Sequence, residues 1–84
     1  MKAKDMFEKL GYKVFCDTFH NISYHKEYKD KTICINFDKQ TKRFCKFKCG
    51  LAIFYQEKRD LQVTLRELKA INQQVKELNW DGDK

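Results

Sequence analysis

The chain has 84 residues, a formal net charge of +6, four cysteines and no proline. That length supports a single domain, 1–84, near the lower end of what one hydrophobic core can hold, so a metal, disulfides or oligomerisation would add to its stability. No apolar run approaches the ~18 residues of a membrane span and no apolar stretch follows the basic N-terminus, which points away from a membrane and toward the cytoplasm, where thiols stay reduced.

Taken in chain order, residues 4–10 predict a short helix with Met6, Phe7 and Leu10 turned inward. Gly11 suits the left-handed residue that closes such a helix, and Tyr12 the apolar residue that folds back on its last turn. Residues 13–18 predict a first strand, with Phe15 toward the core and Cys16 facing the other way. Residues 21–28 alternate, placing Ile22, Tyr24 and Tyr28 on one side and Ser23, His25 and Glu27 on the other. A two-residue loop at Lys29-Asp30 would pair Tyr28 with Lys31, Tyr24 with Ile35 and His25 with Cys34. Ile33, Ile35 and Phe37 continue the alternation against Cys34 and Asn36. A second two-residue loop, Lys39-Gln40, would set Asp38 against Thr41, Ile35 against Phe44 and Cys34 against Cys45.

Residues 51–55 form an apolar run of strand length, 56–60 read as a polar loop, and 61–63 as a short strand. Thr64-Leu65-Arg66-Glu67 fits a capping box, in which side chain and backbone satisfy each other's first-turn donors. Leu65, Leu68, Ile71, Val75 and Leu78 then share one helical face, with Arg66, Lys69, Gln73, Lys76 and Glu77 facing water. Asn79 can end the helix, Trp80 can pack back on it, and 81–84 form a tail. The elements predict an α+β domain: an antiparallel β-meander covered on one face by the C-terminal helix, with a short N-terminal helix and a structural metal site.

The metal reading comes from the cysteines. In the predicted register one row across three strands holds His25, Cys34 and Cys45, on the face opposite Ile33, Ile35 and Phe37. Directly opposite positions have Cβ atoms about 4.5–5.5 Å apart, close enough for two thiolates to share an ion. Cys49 adds a C-x3-C-G spacing with Cys45, which completes four ligands for a structural zinc. Cys16 is the substitute ligand, and Cys16-x3-His20 with Cys45-x3-Cys49 is a rival set. The competing reading is that the cysteines pack singly as small hydrophobes. A one-residue slip in register would destroy the row. Four protein ligands leave no open position for water, so the metal would not be catalytic.

The surplus charge is concentrated: Lys39, Lys42, Arg43, Lys46 and Lys48 give five cations and no acid between residues 39 and 48. These residues are the candidate partner-binding set. They could contact nucleic acid together with Phe44 and Phe47, but those two rings have opposite parity and cannot form one stacking face. Lysines near a sheet edge also serve to prevent edge-to-edge pairing. No glycine-rich loop or nucleophile elbow is present, both histidines are claimed by the ligand sets, and the carboxylates are scattered among lysines, so a non-enzyme is expected.

The two ends, Asp5-Met6-Phe7-Glu8-Lys9-Leu10-Gly11-Tyr12 and Leu65-Arg66-Glu67-Leu68-Lys69-Ala70-Ile71-Asn72-Gln73-Gln74-Val75-Lys76-Glu77-Leu78-Asn79-Trp80, resemble a group of small phage and prophage proteins of Firmicutes. In that group a MFEELGY-like start and an ELQAIN-x-x-VEELGW-like helix flank a β-meander, and Ile22-Ser23-Tyr24 and Ile35-Asn36-Phe37-Asp38 match its middle. The cysteines depart from the group's pattern, so the zinc site draws no support from it. Small phage proteins of this size include anti-CRISPR inhibitors of Cas9, some of them metal-binding. The resemblance therefore implies a Cas9 inhibitor acting in the cytoplasm of the bacterial host. A chain at +6 cannot imitate DNA in a cationic channel, so such an inhibitor would dock on the nuclease away from the DNA path and hinder DNA loading. The second expectation is a small zinc-stabilised nucleic-acid-binding phage protein.

Overall fold

The N-terminal helix forms where the apolar spacing puts it. A computed structural model of the protein describes residues 1–28, 31–49, 56–57 and 63–80, and its first element is α1 (Ala3–Lys9), with Asp5 in the first turn and Lys9 in the last, the polarity that the helix dipole favours. Gly11 ends the turn at φ 94°, a conformation that a β-carbon disfavours. A β-carbon there would also stand 3.0 Å from Lys26 Cδ. The Tyr12 N–H donates to the Phe7 carbonyl at 2.9 Å, which folds the Tyr12 ring edge-on against Phe7.

Four long strands, β1 (Lys13–Asp17), β2 (Asn21–Tyr28), β3 (Lys31–Asp38) and β4 (Arg43–Cys49), pair antiparallel in chain order. A two-residue strand, β5 (Gln56–Glu57), pairs with β4 where the sequence predicts loop. The last element is α2 (Leu65–Glu77). The class is α+β, as expected. The predicted strand at 51–55 and the tail at 81–84 lie outside the described residues, as do Leu61 and Gln62 of the predicted strand at 61–63.

The β2–β3 register is the predicted one: Tyr28 opposes Lys31, Tyr24 opposes Ile35 and His25 opposes Cys34. The β3–β4 register is not. Asp38 opposes Arg43, Phe37 opposes Phe44, Asn36 opposes Cys45 and Cys34 opposes Phe47. The loop has four residues instead of two, because Asp38 turns the chain with its side chain. One Asp38 carboxylate oxygen accepts the N–H groups of Gln40 at 2.9 Å and Thr41 at 3.2 Å, and the Asp38 carbonyl accepts from Lys42 N. Lys42, at φ 58°, then brings the chain back. Aspartate is suited to this local bonding, and four-residue hairpin loops are commonly built around such a turn.

Two further expectations are corrected. Phe15 does not face the core. A bulge between Val14 and Cys16 pairs Val14 with Tyr24 and Cys16 with Ser23, leaving Phe15 as the extra residue. Phe15 is 69% exposed and lies flat on the His25 ring, centroids 4.0 Å apart at 5°.

The buried side of α2 is also rotated from the leucine stripe. Glu67, Ala70, Ile71 and Gln74 are buried, while Leu65 and Leu68 are exposed. The capping box forms as predicted, Thr64 accepting from Glu67 N and Glu67 accepting from Thr64 N. Asn79, at φ 61°, ends the helix and Trp80 N donates back to Val75 O.

Side chains from α1, the sheet and α2 meet in one core. Phe37 is at its centre, with the rings of Phe7, Tyr24, Phe44 and Trp80 all within 6.3 Å of its own. Phe7 stacks on Tyr24 at 4.1 Å.

Candidate interaction surface

The predicted partner-binding cations do not share one surface. Alternation along β4 sends Lys46 and Lys48 to the side of Phe37 and Phe44, and Arg43 to the side of Cys45 and Phe47. Lys39 and Lys42 lie in the β3–β4 loop.

Lys46 is withdrawn from the surface altogether. Its ammonium donates to Glu67 Oε1 at 2.8 Å, with the two side chains only 11% and 6% exposed. The same Glu67 oxygen accepts Thr64 N at 3.0 Å, and the other accepts the Tyr12 hydroxyl at 2.7 Å. Burial pushes the Glu67 carboxyl upward, but Lys46, the Thr64 N–H and the Tyr12 hydroxyl outweigh it and hold the group below the usual range. The Tyr12 hydroxyl is pushed well above its ordinary value by burial and by the carboxylate it bonds. Two turns further along α2, Gln74 accepts the Tyr24 hydroxyl at 2.5 Å. Burial, with a smaller push from nearby carboxylates, raises the Tyr24 hydroxyl to about 12. These two polar side chains explain the rotation of α2. Buried hydroxyls and an ammonium need acceptors more than the sheet needs two leucines.

The predicted ligand row is displaced in the same way as the hairpin. His25 and Cys34 do stand opposite each other, but the next position in the row is Phe47 and Cys45 lies two residues along, beside Asn36. Cys45 and Cys49 are four residues apart on one extended strand, a backbone separation of about 13 Å, whereas a tetrahedral zinc holds its sulfurs ~2.3 Å from the metal. A turn between them was what made C-x3-C a chelating pair, and the strand removes it. The side chain of Cys49 lies outside the described residues. Among the described residues no group of three or more His, Cys, Asp or Glu could hold a metal ion.

Cys16 and His20, the rival pair, are separately engaged. The Cys16 thiol donates to Asn21 Oδ1 at 3.6 Å, and His20 Nδ1 lies 3.0 Å from Gln40 Nε2. Cys16, Cys34 and Cys45 are not joined in disulfides. Burial, and to a lesser degree Asp38, raises the Cys45 thiol, so the half-shielded sulfur is kept protonated instead of activated. Stacking by Phe15 takes water from His25 and lowers its pKa. Together with Lys13, Glu27 and Thr32, these two rings line an open depression of about 630 Å³.

The sheet end carrying the β1–β2 and β3–β4 loops is built differently. Thr18 shapes the first turn: its Oγ1 accepts from His20 N and Asn21 N at 3.2 and 3.1 Å, while Thr18 N donates to Asn21 O at 2.7 Å. The second turn is bonded to the first. Lys39 N donates to His20 O at 2.8 Å, and the Lys39 ammonium donates to Thr18 O at 2.7 Å and to Asp17 Oδ1 at 3.1 Å.

On top of this cross-linked pair of turns is Phe19, 85% exposed, with the His20 ring edge-on at 5.5 Å. Lys42, in the adjoining turn, and Arg43, the first residue of β4, are exposed. The signal in the sequence was an aromatic residue placed inside a turn that Thr18 and Asn21 already specify.

No described helix is long and apolar enough to cross a membrane. Comparison with protein-family models, with curated proteins and with solved structures finds no match to this chain.

Proposed function

We propose that this chain is a non-catalytic protein-binding module that works by occupying a surface of another macromolecule. The resemblance of its two ends to small phage proteins makes a Cas9-type nuclease of a bacterial host the first partner to test, engaged away from the DNA channel. The observation that carries the reading is the charge: at +6 the chain is repelled by a cationic DNA groove and attracted to acidic protein surface. On one face of the sheet Tyr24 and Lys46 bond Gln74 and Glu67 of α2, which favours the loop end and the opposite face for contact with a partner. Within the predicted cation set, Lys46 belongs to the fold through Glu67, whereas Lys42 and Arg43 are exposed.

Zinc is not needed for this reading, since the described strand geometry separates Cys45 from Cys49. The nucleic-acid alternative asks for cations and rings on one face. The observed alternation instead divides Phe44 from Phe47 and Lys46 from Arg43.

The test is binding of the purified chain to a purified Cas9–guide complex, beside a salt-titrated assay on mixed single- and double-stranded nucleic acid. Nuclease binding with little affinity for free nucleic acid supports the proposal. Nucleic-acid affinity that falls steeply with salt, without nuclease binding, replaces it with the second reading.

A further inference from the structure

We infer that the loop end of the sheet is the docking epitope, with Phe19 as the apolar anchor that enters a pocket of the partner protein and Lys42 and Arg43 set against an acidic rim of that pocket. This rests on the protein-binding reading above and narrows it to particular side chains.

Three observations combine. Phe19 is left exposed to water, although the turn that carries it is made by Thr18 and Asn21 and does not require an aromatic ring. The turn is held in place by the bonds of Lys39 to His20 O, Thr18 O and Asp17. An aromatic ring on a fixed backbone has two torsions to lose on binding, so ordering it costs little, which is why such rings dominate binding hot spots. The exposed cations Lys42 and Arg43 lie one turn away, and the chain as a whole is +6, which selects an acidic surface.

The same end carries carboxylates. Asp17 is exposed beside Lys39, and Asp38 caps the second turn. A mixed-sign border of this sort fits the polar rim of a protein interface. A track for phosphates carries one sign, so the observations favour a protein over a nucleic acid.

The experiment compares the full chain with Phe19→Ala, Phe19→Tyr and the double variant Lys42→Glu/Arg43→Glu for binding to the purified Cas9–guide complex. Circular dichroism and thermal melts confirm that each variant is folded. The expected result is a loss of about thirtyfold or more in affinity for Phe19→Ala, with Phe19→Tyr recovering most of it. The double charge reversal should slow association by about tenfold at low salt and less at high salt.

Nuclease binding that Phe19→Ala leaves unchanged overturns this epitope and spares the protein-binding reading. Failure of the wild-type chain to bind the nuclease overturns both. Single-stranded nucleic-acid binding that is lost in Phe19→Ala reassigns the same ring to base stacking and also overturns the inference.

Discussion

Lys46 and the pair Lys42–Arg43 come from the same basic run, yet they meet different surroundings. Lys46 reaches α2 through Glu67, where its ammonium, the Tyr12 hydroxyl and the Thr64 N–H saturate the carboxylate. Lys42 and Arg43 are exposed, four and three residues before it. Strand alternation and the length of one loop decide the difference. A buried cation on the core side must find an acid or unfold the sheet, whereas a cation in or beside the turn stays exposed. A run of like charges in a sequence is therefore not a surface patch until its register is known.

The comparison breaks most visibly by substitution at its two poles. Lys46→Ala leaves Glu67 buried without its cation and should cost about 3–5 kcal/mol, while Lys42→Ala and Arg43→Ala should each stay within about 0.5 kcal/mol. Urea denaturation of the three variants measures this. Equal effects at the three positions would show that Lys46 is not buried against α2.

Tyr12→Phe keeps the ring but removes the hydroxyl that Glu67 accepts, for an expected loss of about 1–2 kcal/mol. Thr64→Ala removes the N-cap and should cost about 1 kcal/mol. In a domain of this size each kcal/mol lowers Tm by about 4–8 °C, so both changes are within reach of a thermal melt.

The pH dependence sharpens the same contrast. Glu67 is held below its ordinary range in the fold, so the stability that it contributes is complete above the unfolded carboxylate's pKa and is lost as pH falls through the folded value. Tyr12 and Tyr24 are raised in the fold, so their contribution is complete below the ordinary tyrosine pKa of about 10 and is lost as pH rises beyond it. Melting temperature against pH should show both edges, and Tyr12→Phe should weaken the alkaline one. An unchanged alkaline edge in that variant would remove Tyr12 from the account.

The smallest expected effect concerns the cysteines. Treatment with a chelator should leave Tm unchanged, and elemental analysis should return zinc well below one per chain, because the extended β4 backbone sets the Cys45 and Cys49 positions about 13 Å apart. One zinc per chain would require β4 to bend between them and would overturn the observed pairing with β3.

Much of the fold is written in short stretches of sequence. Gly11 ends α1, Thr64 and Glu67 start α2, Asn79 stops it, and the alternation of residues 21–28 with 31–38 sets the first hairpin register correctly. In each case the interaction is local or the period is regular, so neighbouring residues contain the information.

The tertiary structure alone decided what depended on distant pairing. Asp38 lengthened a loop and moved Cys45 away from Cys34; a bulge turned Phe15 outward onto His25. Tyr12 and Tyr24 drew Glu67 and Gln74 inward, across at least 50 residues of chain, in place of Leu65 and Leu68. Hydrophobic periodicity records how much apolar surface a helix has. Which side is buried also depends on the donors waiting in the core, and these come from another part of the chain.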